Sequence, residues 1–382
     1  MGALTGLRVL EIAAHGPVPF CGLLLADMGA DVLRIDRLGP TGAPIALDQR
    51  KDVIARGRRS LAVDLKNPAG RDLVLQLCAG AAVLLEGNRP GVMERLGLDP
   101  AACWRTNAKL VYGRATGWGQ EGALAATAGH DINYLALAGV LFGIGHKDER
   151  PVPPINLLGD YGGGGMLLAV GVLAALLEAQ RSGQGQVVDA AMVDGASLLQ
   201  TVLYGLTAMG QWRPERGSNF FDSGCFYYDV YRTRDDRFVA VGALEDKFFA
   251  ALVKGLGLRV EDFPDRENPQ LWEGYREKLR AVFQTRTQAE WMGIFSATDA
   301  CVTPVLSMTE APAHPHARAR HAFIDVAGIR QPAPAPRFSR TPSAARSPPP
   351  VSGEHTRTVL VEAGFAPADI ERLAQAGAIA LD

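Results

Sequence analysis

Residues 7–36 read LRVLEIAAHGPVPFCGLLLADMGADVLRID. Leu7–Ala13 is a short apolar run with strand-like composition, Pro17–Met28 is predicted helical, and Asp31–Asp36 is a second strand. Strand, helix and strand in that order form a βαβ opening, the unit from which parallel sheets are built. The connecting turn, His15-Gly16-Pro17-Val18-Pro19, is not G-x-G-x-x-G, so a Rossmann-like shape is expected here without dinucleotide binding.

The alternation continues downstream. Further strands are expected at Ser60–Leu65, Ala82–Glu86, Leu110–Thr116 and Gln186–Val193. Between the first two, Pro68–Cys78 is predicted helical, with Asn67 as N-cap and Pro68 in the first turn. The expected fold class is α/β, a doubly wound and mostly parallel sheet. Past Gly183 the chain changes character. Ala196–Met209 is expected as one helix. Phe226–Arg232 and Arg237–Ala243 alternate around Thr233-Arg234-Asp235-Asp236, a hairpin signal. Helical patterns follow at Asp246–Leu256, Leu271–Gln284 and Gln288–Ser296, which makes a smaller α+β domain over about Phe226 to Glu310. Gln331–Pro350 is too rich in proline for regular structure, and two tail helices are expected at Glu354–Ala363 and Ala366–Ala376.

The formal net charge of the 382 residues is -2, so no global field attracts nucleic acid or anionic lipid. Five cysteines (Cys21, Cys78, Cys103, Cys225, Cys301) are an odd number without C-x-x-C spacing. That pattern fits reduced thiols in a cytoplasmic enzyme and offers neither a disulfide framework nor a zinc site. The opening MGALTGLRVLEIA lacks a basic segment leading into a long apolar one, so no secretory leader is expected, and the terminal Ala-Leu-Asp is not a peroxisomal address. The longest apolar run, Met166–Leu177, falls short of the roughly 20 residues that cross a bilayer and is expected as a buried helix.

Two stretches carry the chemistry. Gly129-His130-Asp131-Ile132-Asn133-Tyr134 offers an imidazole at the start of a helix. Ile155-Asn156-Leu157-Leu158-Gly159-Asp160-Tyr161 offers a carboxylate behind an apolar run and before Gly162–Gly165. With Pro151, Pro153 and Pro154 between them, both are expected at element ends. Alone, His130 reads as a structural histidine and Asp160 as a turn former or cap. Together they could move one proton on and off one carbon, because His titrates near neutrality and Leu157-Leu158 would desolvate the carboxyl and raise its pKa.

GHDINYLALAGVL, NLLGDYGGGG and QVVDAAMVDG resemble the corresponding segments of the α-methylacyl-CoA racemases, in the class III CoA-transferase (CaiB/BaiF-like) superfamily. The likeness runs from Leu7 to beyond Phe338. It implies a large CoA-binding domain at 1–190, a linker at 191–225, a small domain at 226–310, a second linker at 311–335, and a segment at 336–382 that completes the large domain. It implies an interlocked homodimer. The implied activity is interconversion of (R)- and (S)-2-methylacyl-CoA thioesters by 1,1-proton transfer through an enolate, within lipid metabolism. The acyl-CoA is substrate; no cofactor, metal, nucleic acid or membrane is implied. Catalytic residues by resemblance are His130, Asp160, Glu245 and Cys301, with the backbone N–H of Asp131 facing the enolate oxygen. CoA would be held by Arg37, Arg56, Val63, Asp64, Leu65, Lys66, Arg95, Gly129, Asn133 and Tyr134. Read alone, each of those cations is a surface charge, Glu245 is the acid at a helix start and Cys301 a small core residue. Two other readings stand beside this one: a class III CoA-transferase with Asp160 as nucleophile, and a non-catalytic acyl-CoA-binding homologue. The sequence departs from the racemase pattern at His15, at Ser223-Gly224-Cys225-Phe226 and at Leu244-Glu245-Asp246-Lys247, which leaves the natural acyl group open.

Overall fold

In the computed structural model, which describes residues 1–39 and 48–381, the chain forms two units. One comprises 1–138, 155–199 and 318–382; the other comprises 139–154 and 200–317.

The first unit is built on six parallel strands: β1 (Arg8–Ile12), β2 (Asp31–Arg37), β3 (Arg58–Val63), β4 (Val83–Glu86), β5 (Val111–Thr116) and β6 (Val187–Ala191). Their order in the sheet is β3-β2-β1-β4-β5-β6. Successive side chains on a strand point to opposite faces, so both faces of this sheet are apolar. Val9, Val32, Val83 and Val111 meet α1 (Pro17–Asp27) and the later helix Leu167–Ser182. Leu10, Leu33, Leu84 and Tyr112 meet α2 (Pro68–Cys78), α3 (Val92–Leu96), α4 (Pro100–Thr106) and the tail helices Thr356–Glu362 and Pro367–Gln375. Asn67 caps α2 as expected, its Oδ1 accepting the Ala69 N–H at 3.0 Å. The tail is tied down at β3, where the Asp64 N–H donates to the Ala378 carbonyl at 2.9 Å.

Three expectations need correction. Gln186–Val193 is a strand only to Ala191, and the single helix expected at Ala196–Met209 is two. Gly129–Tyr134 runs into α5 (Asp131–Leu137), and Asp160 lies in the first turn of a helix, so both stretches sit at element ends as expected. Leu157–Met166 forms a π-helical segment continuous with α6 (Leu167–Ser182). Glycines disfavour isolated helices, yet here close packing requires them: a Cβ on Gly163 would stand 2.7 Å from the Ala196 backbone nitrogen in α7 (Met192–Leu199), and one on Gly164 would stand 2.9 Å from Pro17 Cβ in α1. Third, Leu157–Ser182 is thereby a 26-residue helix, long and apolar enough to cross a bilayer, although it packs as one layer of the core on β5 and α1.

The second unit contains the antiparallel sheet β7 (Tyr228–Arg232), β8 (Phe238–Gly242) and β9 (Val302–Pro304), with the expected hairpin closed by the Thr233 N–H donating to the Arg237 carbonyl at 2.9 Å. Helices α8 (Thr201–Ala208), α9 (Asp246–Gly255), α10 (Trp272–Phe283) and α11 (Gln288–Phe295) belong to it. Its core is aromatic: Phe226 stacks on Phe263 at 5.4 Å, and Trp291 packs on Phe283 at 5.3 Å. Cys225 and Phe226 are fully buried in that core.

Candidate active site

In a doubly wound sheet, ligands bind beyond the carboxyl ends of the strands where the strand order reverses. Here that point lies between β1 and β4. The turns leaving β1, β4 and β5 bring His15, Gly87–Pro90 and Thr116–Trp118 around a cavity of ≈ 190 Å³ completed by Gly129, Tyr134 and Met192. Tyr134 is buried, donates its hydroxyl to the Gly129 carbonyl, and meets Trp118 edge-on at 4.8 Å.

Asp160 is fixed from three sides. Its backbone N–H donates to Asp131 Oδ2 at 2.8 Å, and Asn156 Nδ2 donates to its Oδ2 at 3.0 Å. Gly16, at the N-terminus of α1, approaches so closely that a Cβ there would stand 3.4 Å from the Asp160 carboxyl carbon. Burial pushes the Asp160 carboxyl above the usual carboxylate range; Asn156 pulls it back, Asp131 raises it further, and the charge of His130 lowers it. Asp131, which holds the Asp160 backbone, directly follows His130 in the chain, so the two stretches meet at this point. His130 is the N-cap of α5, with its backbone N–H donating to Asn133 Oδ1 at 3.0 Å and its ring exposed. Asp131 is the first helical residue and is buried. The clasp between Asp131 and Asp160 is visible only in three dimensions, and Asn156 was not among the expected site residues.

Arg37 lies exposed at the end of β2, in register with Val63 at the end of β3. Val63 is buried, while Asp64 turns back to accept the Lys66 N–H at 2.9 Å and leaves Lys66 exposed. Leu65 packs partly into the core, and Arg95 stands exposed on α3. Asn133 is engaged in holding the His130 backbone. Arg56 overturns its expected role as a phosphate ligand. It is 4 % exposed, its guanidinium forks Asp27 at 3.2 and 2.6 Å, and its remaining Nη1 donates to Gln331 Oε1 at 2.7 Å and the Pro332 carbonyl at 2.9 Å. Arg58 is likewise buried against Glu11 at 2.9 Å.

In the second unit, Glu245 is the N-cap residue of α9, yet its carboxylate makes no capping hydrogen bond and is exposed. Cys301 is exposed, in a left-handed backbone conformation with φ 52°, which excludes the core role its residue type alone suggests. Slight burial and then the Glu245 charge raise its thiol pKa. Among the described residues no group of three His, Cys, Asp or Glu could hold a metal ion.

Residues 4–356 match the model of CoA-transferase family III. The chain is 48% identical to an α-methylacyl-CoA racemase of Mus musculus, over 97% of this chain and 96% of that protein. It is 44% identical to an α-methylacyl-CoA racemase of Homo sapiens over the same shares. A crystal structure of a CAIB/BAIF family protein from Brucella suis superposes with a TM-score of 0.79 at 25% identity, covering 95% of this chain and 99% of that one.

Proposed function

We propose, for a chain that belongs to CoA-transferase family III, a function as a racemase that interconverts (R)- and (S)-2-methylacyl-CoA thioesters. The observation that carries this reading is the clasp between the two stretches: the Asp160 backbone N–H donates to Asp131 Oδ2 at 2.8 Å, and Asp131 directly follows His130 at the start of α5. The α-hydrogen of a thioester is weakly acidic. One group removes it as base and leaves an enolate; the other, protonated, returns a proton to the opposite face. His130 and Asp160 exchange these roles with the direction of reaction. Efficient proton carriers have pKa values near the working pH, and the elevation of Asp160 moves it toward that range. The enolate oxygen is assigned to the Asp131 backbone N–H, which at the first helical position has no intrahelical acceptor. Only protons move, so coenzyme A enters as part of the substrate.

Arg37, Lys66 and Arg95 are assigned to the charged end of CoA, with the Val63–Leu65 backbone, Gly129 and Tyr134 beside the remainder; Asn133 acts through His130. Arg56 is omitted because its donors are engaged. Glu245 and Cys301 are assigned to positioning the proton carriers from the partner subunit of an interlocked homodimer. The first unit supports association, because Met166 at the end of the π-helical segment, Val170 and Leu177 on α6, and Leu198 and Leu199 on α7 are all more than half exposed. Five free cysteines fit a reducing, cytoplasmic compartment.

His130→Ala should lower epimerisation roughly 10²–10⁴-fold, the usual contribution of one acid–base group. A transferase that uses Asp160 as nucleophile would tolerate that change. CoA transfer between acids, surviving His130→Ala but not Asp160→Ala, would replace the racemase reading.

A further inference from the structure

Arg114 lies on β5 with only 8% exposure and does not line the cavity, yet it reaches two of the loops that do, those after β4 and β5. Its Nη2 donates to Glu94 Oε1 at 2.6 Å, on the helix that carries Arg95. Its Nη1 donates to Gln120 Oε1 at 3.0 Å, in the loop that carries Trp118. Its Nε stands 3.1 Å from Oε1 of Glu86, its register partner on β4, as an ion pair without an aligned hydrogen bond. Glu86 in turn accepts the Asn88 N–H through Oε2 at 2.6 Å, in the loop that carries Arg89. The Gln120 backbone N–H closes the far side on Asp189 Oδ2 at 3.2 Å. One buried guanidinium thus serves two carboxylates and an amide and joins the loop after β4, the short helix α3 and the loop after β5. Burial pushes Glu86 up to about 7 although the neighbouring Arg114 charge opposes the rise, so the network is held at a cost in desolvation.

We infer that Arg114 is a positioning residue of the CoA site, holding the Arg89, Arg95 and Trp118 segments in the one spacing that fits the ligand. Such a role needs a planar fork with several donors, which lysine cannot supply. The inference rests on the proposed function for the identity of the ligand, and free CoA is the probe because both racemase and transferase must bind it.

Titration calorimetry with free CoA, on the wild type and on Arg114→Lys and Gln120→Ala, tests it. Arg114→Lys should weaken CoA binding about tenfold or more and raise KM for the thioester in parallel, with kcat within about twofold. Gln120→Ala cuts only the tie to the Trp118 loop and should act in the same direction by a smaller factor. If Arg114→Lys fails to fold, Gln120→Ala decides alone. CoA affinity unchanged in a folded Arg114→Lys, or unchanged in Gln120→Ala, overturns the inference while leaving the function intact. A fall in kcat with KM unchanged would also overturn it, because Arg114 would then act on the chemistry. A wild type that does not bind CoA removes the functional reading and this inference together.

Discussion

Asn156→Ala removes one hydrogen bond and nothing else from the Asp160 carboxylate. Asn156 Nδ2 donates to Asp160 Oδ2 at 3.0 Å, and its effect on the Asp160 pKa is second only to burial and opposite in sign. A donor to the ionised form favours that form, so deleting it raises the pKa further. Hydrogen bonds to charged groups contribute about 1.5–3 kcal/mol net; the lower end applies at a half-buried group. One pKa unit corresponds to about 1.4 kcal/mol, so the Asp160 pKa should rise by about one unit. The assay is the pH profile of kcat/KM for epimerisation, read by α-deuterium uptake from each pure enantiomer. The acid limb should move to higher pH by about one unit. An acid limb that does not move, or moves to lower pH, refutes the assignment of that limb to Asp160.

Gly159→Ala should be nearly inactive, since its Cβ would stand 2.5 Å from Asp131 Oδ2 and force apart the clasp on the Asp160 backbone; activity within threefold of wild type would show that the clasp is unimportant. Glu86, at 2% exposure, is pushed from 4.5 up to about 7, so between those pH values the folded form holds a proton that the unfolded form releases. Its contribution to stability is therefore present at low pH and declines as pH rises through that window, by about 3 kcal/mol at most. Denaturant unfolding should show a flatter pH dependence over that range for Glu86→Gln, and an unchanged slope would contradict the assignment.

The parallel sheet was legible from Leu7 onward because apolar runs broken by helix-length segments have few other solutions. The placement of His130 at a helix start was legible for the same local reason. The desolvation of Asp160 was legible too, but the helix that carries it was not. Four consecutive glycines argue against a helix by propensity, and only the contact of Gly163 with α7 and of Gly164 and Gly165 with α1 explains why one forms. Long-range partners misled the reading of the arginines. Arg56 looks like a free surface cation until Asp27, 29 residues away, and Gln331, 275 residues away, are brought to it. Arg114 was silent for the same reason, since its partners on β4, α3 and the loop after β5 converge only in the folded chain. Strand β9 is three residues long and too short for any periodicity to register. Residue type alone would put Cys301 in the core, whereas the loop around it turns the residue outward with a positive φ, which leaves it free for the site role implied by resemblance.

The central claim is that His130 and Asp160 pass a proton on and off one carbon. Its most direct test is incubation of a single enantiomer of a 2-methylacyl-CoA with the enzyme in D₂O, followed by mass and chiral analysis of the thioester. The account predicts uptake of one deuterium at the α-carbon together with drift toward a near-equal mixture of the two forms, whichever enantiomer is supplied. No α-deuterium from any branched thioester, alongside transfer of CoA between carboxylic acids, would contradict it and make Asp160 a nucleophile.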